Sequence, residues 1–347
     1  MNGNGSRGSY RPTGGQMRFN RRHRDQRRNI LIGIISVLSV AVAVFGFLVL
    51  AEIFNWFDKA PEPPVDIEEP EEKFKTTEIN VPSKDVHAGE LILVNSSYPY
   101  VFPETKTEVI PIITDRTVHG TSESGNNIYS FYTQNGLEKC AKLEKRTLEL
   151  FRSWTDDFYK ATGNSDLFVF DEDGYRTKEA QEGYYSKKPA EYAAPGTTEH
   201  HMGTCTDLYV YTGKIRGNLD DAGFADIFKW IYDNAYRYGF VLRYPESKAS
   251  VTGVSYEPYH FRQVGYAHAY YMSRNDLCLE EYLELIKNGY TAEAPLEFNG
   301  DDGNTYMVYY VAASEETTTS LTVPEEHTYT YSGDNKNGFI VTVKVEG

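Results

Sequence analysis

The chain has 347 residues, enough for more than one domain, and its 35 basic and 50 acidic side chains leave a net charge of −15. An acidic exterior disfavours nucleic acid as a partner and says little about a peptide substrate. Three cysteines, Cys140, Cys205 and Cys278, exclude a fully paired disulfide set; Cys140 and Cys278 can pair, and three small buried hydrophobes are the other reading.

The charge is uneven along the chain. Residues 1–28 carry eight arginines and one acid, Asp25, so the remainder holds 27 basic against 49 acidic residues, a net of −22. An apolar run follows from Asn29 to about Ile53, uncharged until Glu52 and long enough to cross a bilayer as a helix. The arginines ahead of it predict a cytoplasmic tail (1–28), a transmembrane anchor (29–53) and everything after it outside the cell. Val49-Leu50-Ala51 offers a competing reading as a cleaved signal peptide, but the apolar stretch is longer than such peptides use. Residues 54–80, with Pro61, Pro63, Pro64, Pro70 and a glutamate-rich run at Glu68–Glu72, read as a stiff, like-charged stalk.

From residue 81 the pattern becomes globular, and residues 81–292 read as one domain. Leu91–Asn95 is expected to be a strand. Leu137–Ala161 has helical periodicity, with Gly163 as its stop. Leu167–Phe170 reads as a buried strand, followed by a turn at Asp171–Gly174 and a helix from Lys178 to about Tyr185 capped by Thr177. Cys205–Thr212 is expected as a strand, Phe224–Tyr238 as a helix ending at Gly239, and Phe240–Arg243 and Val254–Phe261 as strands. Helices are expected at Val264–Met272 and Cys278–Lys287, the second opened by Asn275-Asp276. Residues 293–347 hold four Thr/Tyr/Val-rich runs, Tyr306–Val311, Ser320–Val323, Thr328–Tyr331 and Phe339–Val345, which predict a small β-rich extension. Helices and strands mix without a regular βαβ repeat, so the class is α+β.

Two stretches carry the chemistry: Pro195–Asp207, with His200 and Asp207, and Tyr256–Arg262, with Glu257 and His260. Two histidines and an aspartate leave one position open on a zinc ion, and a free carboxylate beside it can take a water's proton. His200 and Asp207 are seven apart. A regular strand would set them on opposite faces, and a helix would separate them by about 10 Å along its axis. A turn at Gly203 brings them together. Glu257 and His260 need a similar irregularity, with Pro258 between them. His201 adjoins the site but points away from His200 on extended backbone. No Ser-x-x-Lys, Gly-x-Ser-x-Gly or His-Glu-x-x-His occurs, so no serine mechanism competes.

These stretches resemble the signature of the VanY-type D-alanyl-D-alanine carboxypeptidases and their L,D-carboxypeptidase relatives, zinc peptidases with a hedgehog-like fold. The family pattern Ser-x-His-x-x-Gly-x-Ala-x-Asp is met by Thr198, His200, Gly203, Cys205 and Asp207, and the Glu-Pro-Trp-His-Phe-Arg pattern by Glu257–Arg262 with Tyr259 in place of Trp. Leu93-Val94-Asn95, Gly174-Tyr175-Arg176-Thr177 with Gln181, and Tyr238–Pro245 stand in the family order, so the likeness spans roughly residues 90–286. It implies a zinc cofactor held by His200, Asp207 and His260, with Glu257 as the base. It implies substrate contacts from Arg176, which would grip the terminal carboxylate, and from Gln181, Thr198 and Tyr259. The implied substrate is a peptidoglycan stem peptide outside a bacterial cell, trimmed of its last D-amino acid with D,D- or L,D-specificity. A wall-binding module with little or no catalysis, and an endopeptidase, are the alternatives. Cys205 replaces the family alanine two residues before Asp207. It can pack as a neutral thiol or close the open zinc position.

Overall fold

The long helix Lys145–Thr162 organises the core of the chain, which is described here from a computed structural model for residues 75–134, 136–213 and 215–347. The basic tail, the apolar run 29–53 and the stalk up to residue 74 lie outside the described residues. Among the described residues no helix is long and apolar enough to cross a membrane. The helix begins where the Glu144 carboxylate accepts the backbone N–H of Arg146 (3.0 Å) and Thr147 (2.9 Å), and it ends at Gly163 with φ +69°. It therefore starts eight residues later than its periodicity predicts. Cys140, Ala141 and Leu143 are core residues, but Lys142–Glu144 is a strand paired with Val109–Pro111, so apolar strand positions extend the helical pattern. Leu148, Phe151, Trp154 and Phe158 form the buried stripe. Trp154 stacks on Phe240 and meets Phe261 edge-on, both at 5.0 Å between ring centres.

Against this stripe lies a three-stranded antiparallel sheet in the order Phe240–Leu242, His260–Gln263, Cys205–Asp207. Two strand expectations are corrected there. Cys205–Thr212 is not one strand: the chain leaves the sheet at Leu208, whose N–H donates to the Tyr259 carbonyl (2.8 Å), and Tyr209–Tyr211 joins a second sheet beside Leu167–Phe168 and Arg216–Gly217. Val254–Phe261 is strand only from His260, because Glu257–His260 forms a turn closed by His260 N–H to Glu257 C=O (3.2 Å), with Pro258 inside it. The helix of residues 225–234 runs on through a 3-10 turn to Tyr238 and stops at Gly239, φ +79°.

The C-terminal strands are built into the same unit, which extends from Glu72 to Gly347. Leu296–Asn299, Thr305–Ala312, Gly338–Val345 and Thr328–Gly333 make one sheet, and Thr318–Pro324 pairs along seven residues with Thr76–Pro82. The alternation in Thr77–Val81 thus belongs to a strand, and the fold starts ahead of the boundary expected at residue 81. Leu296, Val308 and Ile340 share a core with Tyr282, Leu283 and Ile286 of the helix Leu279–Gly289. That helix opens at Cys278 through a capping box with Glu281, not at Asn275-Asp276. The helix before it covers Tyr266–Asn275. Leu91–Asn95 is not a strand. Its backbone is tied by Ser332 Oγ to Leu91 N–H (2.9 Å), by Asp334 C=O to Leu93 N–H (3.2 Å) and by Asn335 Nδ2 to Leu93 C=O (2.8 Å). The three cysteines are buried free thiols, and neither Cys140 nor Cys278 lies within a helix.

Trp154 touches both the helix and the sheet, so Trp154→Ala should lower unfolding free energy by about 3–5 kcal/mol, read as a reduced denaturation midpoint.

Candidate metal centre and active-site cleft

Strand register puts the two sheet residues of the site face to face. Asp207 pairs directly with His260, and Cys205 with Arg262, in the antiparallel ladder. Alternation sends these four to one face of the sheet and Thr206 and Phe261 to the other, where Phe261 enters the aromatic core. His260 Nδ1 lies 2.8 Å from Asp207 Oδ1 and 3.7 Å from Glu257 Oε2. The turn at Pro258 is the irregularity that turns Glu257 and His260 the same way.

His200 arrives from the 3-10 turn Glu199–Met202, which ends at Gly203 with φ +74°. A side chain at Gly203 would press on Glu144 N at 3.1 Å, so a glycine is required both for the turn and for the close approach. The predicted turn is therefore present, and His200 Nε2 comes to 3.6 Å from Asp207 Oδ2. Thr198 caps the turn, its Oγ1 accepting from His200 N–H at 3.4 Å. His200 Nδ1 is 2.7 Å from the Gly174 carbonyl. Gly174 is again forced, since a Cβ there would sit 2.5 Å from the Lys142 carbonyl. A carbonyl can only accept, so Nδ1 carries the proton and Nε2 keeps its lone pair toward Asp207.

His260 lies between two carboxylates. Its Nε2 faces Glu199 Oε2 at 3.5 Å and its Nδ1 faces Asp207 Oδ1 on the cleft side, so Nδ1 is the nitrogen that would meet a metal, with Nε2–H then turned to Glu199. Glu199 is fully buried and held by Arg243 Nε (2.8 Å) and Arg262 Nη1 (3.2 Å), and Arg243 is gripped from behind by both oxygens of Glu280 (2.6 and 2.8 Å). Burial alone would raise the Glu199 proton affinity, but the two guanidiniums reverse this and keep it ionised. Burial, aided by Arg176, lowers His200 to about 3, so it is a neutral imidazole. Burial opposes ionisation of Asp207 too, yet His200 and His260 draw it down to about 2. Burial raises Glu257, with Asp207 and Glu199 adding to the effect.

Two neutralisable imidazoles and a carboxylate on one wall fit a borderline-soft divalent cation. Asp207 Oδ1 is buried with no aligned hydrogen-bond partner, which is costly unless a cation organises the group. Cys205 Sγ and donor nitrogens of His200 and His260 also lie within 4.8 Å of one another. Burial raises the Cys205 thiol, leaving it neutral and a poor ligand in this form.

The centre opens into a cleft of about 1210 Å³. Arg176 is on its wall, 92 % buried, with Nη2 3.8 Å from Asp207 Oδ2 and Nη1 donating to Gln181 Oε1 (3.4 Å). Gln181 in turn donates to the Ala193 carbonyl (2.6 Å), so it braces Arg176 from a fully buried position. Tyr184 and Tyr192 flank the guanidinium at 5.8 and 5.7 Å. Tyr259 stacks on Tyr209 at 4.9 Å as another part of the wall. His201 is buried and structural: its Nδ1 donates to the Arg176 carbonyl (2.7 Å) and its Nε2 accepts from Gly196 N–H (3.0 Å). Sequence reasoning missed Glu199, Arg243, Tyr184, Tyr192 and Asp173. Arg243 lay within a noticed stretch, but only the fold pairs it with Glu199. Burial and Asp207 push the Asp173 carboxyl up to about 8, neutral beside the site.

Comparison with known proteins agrees with this geometry. The family model for VanY, D-alanyl-D-alanine carboxypeptidase, matches residues 141–266. A D-alanyl-D-alanine carboxypeptidase of Enterococcus faecium is 32% identical over 270 residues, covering 77% of this chain and 79% of the relative. The bifunctional D-Ala-D-Ala dipeptidase and carboxypeptidase VanXYC of Enterococcus gallinarum is 34% identical over 152 residues, 40% of this chain and 77% of that one. The solved structure of the vancomycin-resistance D,D-dipeptidase VanXYg with a D-Ala-D-Ala phosphinate analog superposes with a TM-score of 0.62 at 25% identity, covering 78% of this chain and 99% of that one.

Removing the Glu199 charge should weaken the metal site and, by leaving the buried Arg243 and Arg262 short of a counter-charge, the fold as well. Glu199→Gln is expected to lower zinc affinity about 10–100-fold in chelator competition.

Proposed function

Since the chain belongs to the VanY family of D-alanyl-D-alanine carboxypeptidases, we propose that it is a zinc-dependent enzyme that removes the terminal D-alanine from peptidoglycan stem peptides. The observation that carries this reading is the convergence of His200 Nε2, Asp207 and His260 Nδ1 with Glu257 Oε2 3.7 Å from that same Nδ1 and the Arg176 guanidinium 3.8 Å from Asp207. His200, Asp207 and His260 would hold the ion, with Cys205 packed beneath as a neutral thiol. Zinc bound there lowers the pKa of a coordinated water toward neutrality and polarises a carbonyl.

Glu257 is the proton carrier. Its Oε atoms take a proton from the attacking water and return it to the leaving amine, and its raised proton affinity suits both steps. Arg176 binds the free C-terminal carboxylate in a two-pronged grip, held in place by Gln181 and flanked by Tyr184 and Tyr192. Tyr259, stacked on Tyr209, walls the cleft beside the scissile bond, and Thr198 sets the turn that presents His200. A half-buried base next to the ligands favours an enzyme over a wall-binding module, which has no use for one. A guanidinium reserved for a chain end favours an exopeptidase over an endopeptidase. The arginine-rich tail and the apolar run 29–53 support attachment to the membrane from its cytoplasmic side, with the cleft outside.

Incubated with a pentapeptide ending in D-Ala-D-Ala, the protein should release D-alanine, lose that activity to a chelator and regain it with zinc. Glu257→Gln should lower kcat by about 10²–10⁴-fold while zinc content stays near one per chain. A metal-loaded protein that leaves both D,D- and L,D-terminated stems uncut would refute the reading.

A further inference from the structure

The cleft carries a second guanidinium that no step described above employs. Arg216 lies on its wall, at the start of the short strand Arg216–Gly217 that pairs with Tyr209–Tyr211. Its guanidinium carbon sits 4.1 Å from the centre of the Phe170 ring and 4.5 Å from that of Tyr209. The two rings meet at 70°, so they form a corner that holds the planar group. Tyr209 in turn stacks on Tyr259, the residue before His260 in the chain.

The other cations of the cleft are committed. Arg176 is bonded to Gln181 and to the Glu172 carbonyl, Lys188 to Glu191 (2.7 Å) and Lys336 to Glu284 (2.8 Å). Among the described residues the Arg216 guanidinium has no hydrogen bond or ion pair. It rests in the corner formed by the two rings, which leaves its N–H donors for an incoming acceptor. An exposed arginine in an acidic protein ordinarily finds a carboxylate. One oriented over aromatic rings and left unpaired inside a substrate cleft is a receptor for an anion.

We propose that Arg216 is a specificity-determining residue that binds a second carboxylate of the substrate, one it carries besides its C-terminal carboxylate. This deepens the carboxypeptidase reading and rests on it. Two parts of a stem peptide offer such a group: an extra carboxylate on the side chain of the diamino acid at position three, or the free α-carboxylate of a γ-linked D-glutamate at position two. The chemistry of recognition is the same for both, a charge-assisted fork of N–H donors onto two oxygens.

The test uses three synthetic pentapeptides ending in D-Ala-D-Ala. One has lysine at position three and D-glutamate amidated, one replaces that lysine by diaminopimelic acid, and one leaves the D-glutamate carboxylate free. For the protein with zinc bound, kcat/KM should favour one carboxylate-bearing peptide over the amidated lysine peptide by about fivefold to tenfold, mainly through KM, and the preference should shrink as salt is raised. The peptide favoured identifies which carboxylate is read. In Arg216→Ala the ratio should fall to about one, and in Arg216→Lys part of it should return. Equal rates on all three peptides by the unaltered protein, or a preference that survives Arg216→Ala, would overturn the assignment of Arg216 while leaving the carboxypeptidase reading standing. Failure to cut any of the three, and of the matching tetrapeptides, would overturn both.

Discussion

The site depends on one register. Because Asp207 and His260 are direct partners in an antiparallel ladder, a carboxylate and an imidazole share one face at contact distance, and the core residue Phe261 is forced to the other. A slip of one residue would exchange those faces, burying His260 against Trp154 and sending Phe261 into the cleft. Packing of the aromatic core therefore protects the metal site: Trp154 holds Phe240 and Phe261, and they hold the strands whose opposite faces carry the chemistry. The third donor, His200, needs no strand. It is placed by a capped turn whose terminal glycine lies against the strand that leads into the long helix.

Behind the donors lies an ionic layer with almost no exposure, Glu280–Arg243–Glu199–Arg262, closing on His260. Buried ion pairs are poor sources of stability, since desolvation offsets most of the attraction. Their value here is directional. An ionised Glu199 faces the Nε2 side of His260 while Nδ1 faces Asp207, and the Gly174 carbonyl holds the far nitrogen of His200. Both imidazoles are thus oriented from their far nitrogens, by a carboxylate in one case and a backbone carbonyl in the other. The C-terminal strands take part at longer range, since Ser332, Asp334 and Asn335 tie down Leu91–Leu93, a segment that leads to the rim of the cleft.

Much of this was legible from residues alone, for physical reasons. His200, Asp207, Glu257 and His260 stand at separations that no regular element can reconcile, so turns at Gly203 and Pro258 had to exist, and they do. Gly163 and Gly239 end their helices because only a left-handed backbone closes them there. What escaped was non-local. Nothing near Glu199 in sequence announces Arg243 or Arg262, which reach it only through folding. Leu91–Asn95 has the apolar run of a strand, but its partners are side chains some 240 positions away, a contact that periodicity does not encode. The Leu137 helix start failed because Cys140 and Ala141, just ahead of the strand Lys142–Glu144, are buried at spacings that continue the helical stripe. Residues 76–80 read as stalk because the mate of the strand Thr76–Pro82, Thr318–Pro324, lies at the other end of the chain.

The most direct test of the central claim is the coordination shell of the bound ion, read by X-ray absorption at the zinc edge. One zinc per chain with nitrogen and oxygen neighbours at about 2.0–2.2 Å, two of them imidazoles, is expected. A sulfur neighbour at about 2.3 Å would put Cys205 in the open position, and the absence of zinc would remove the site altogether; either result contradicts a hydrolytic centre held by His200, Asp207 and His260.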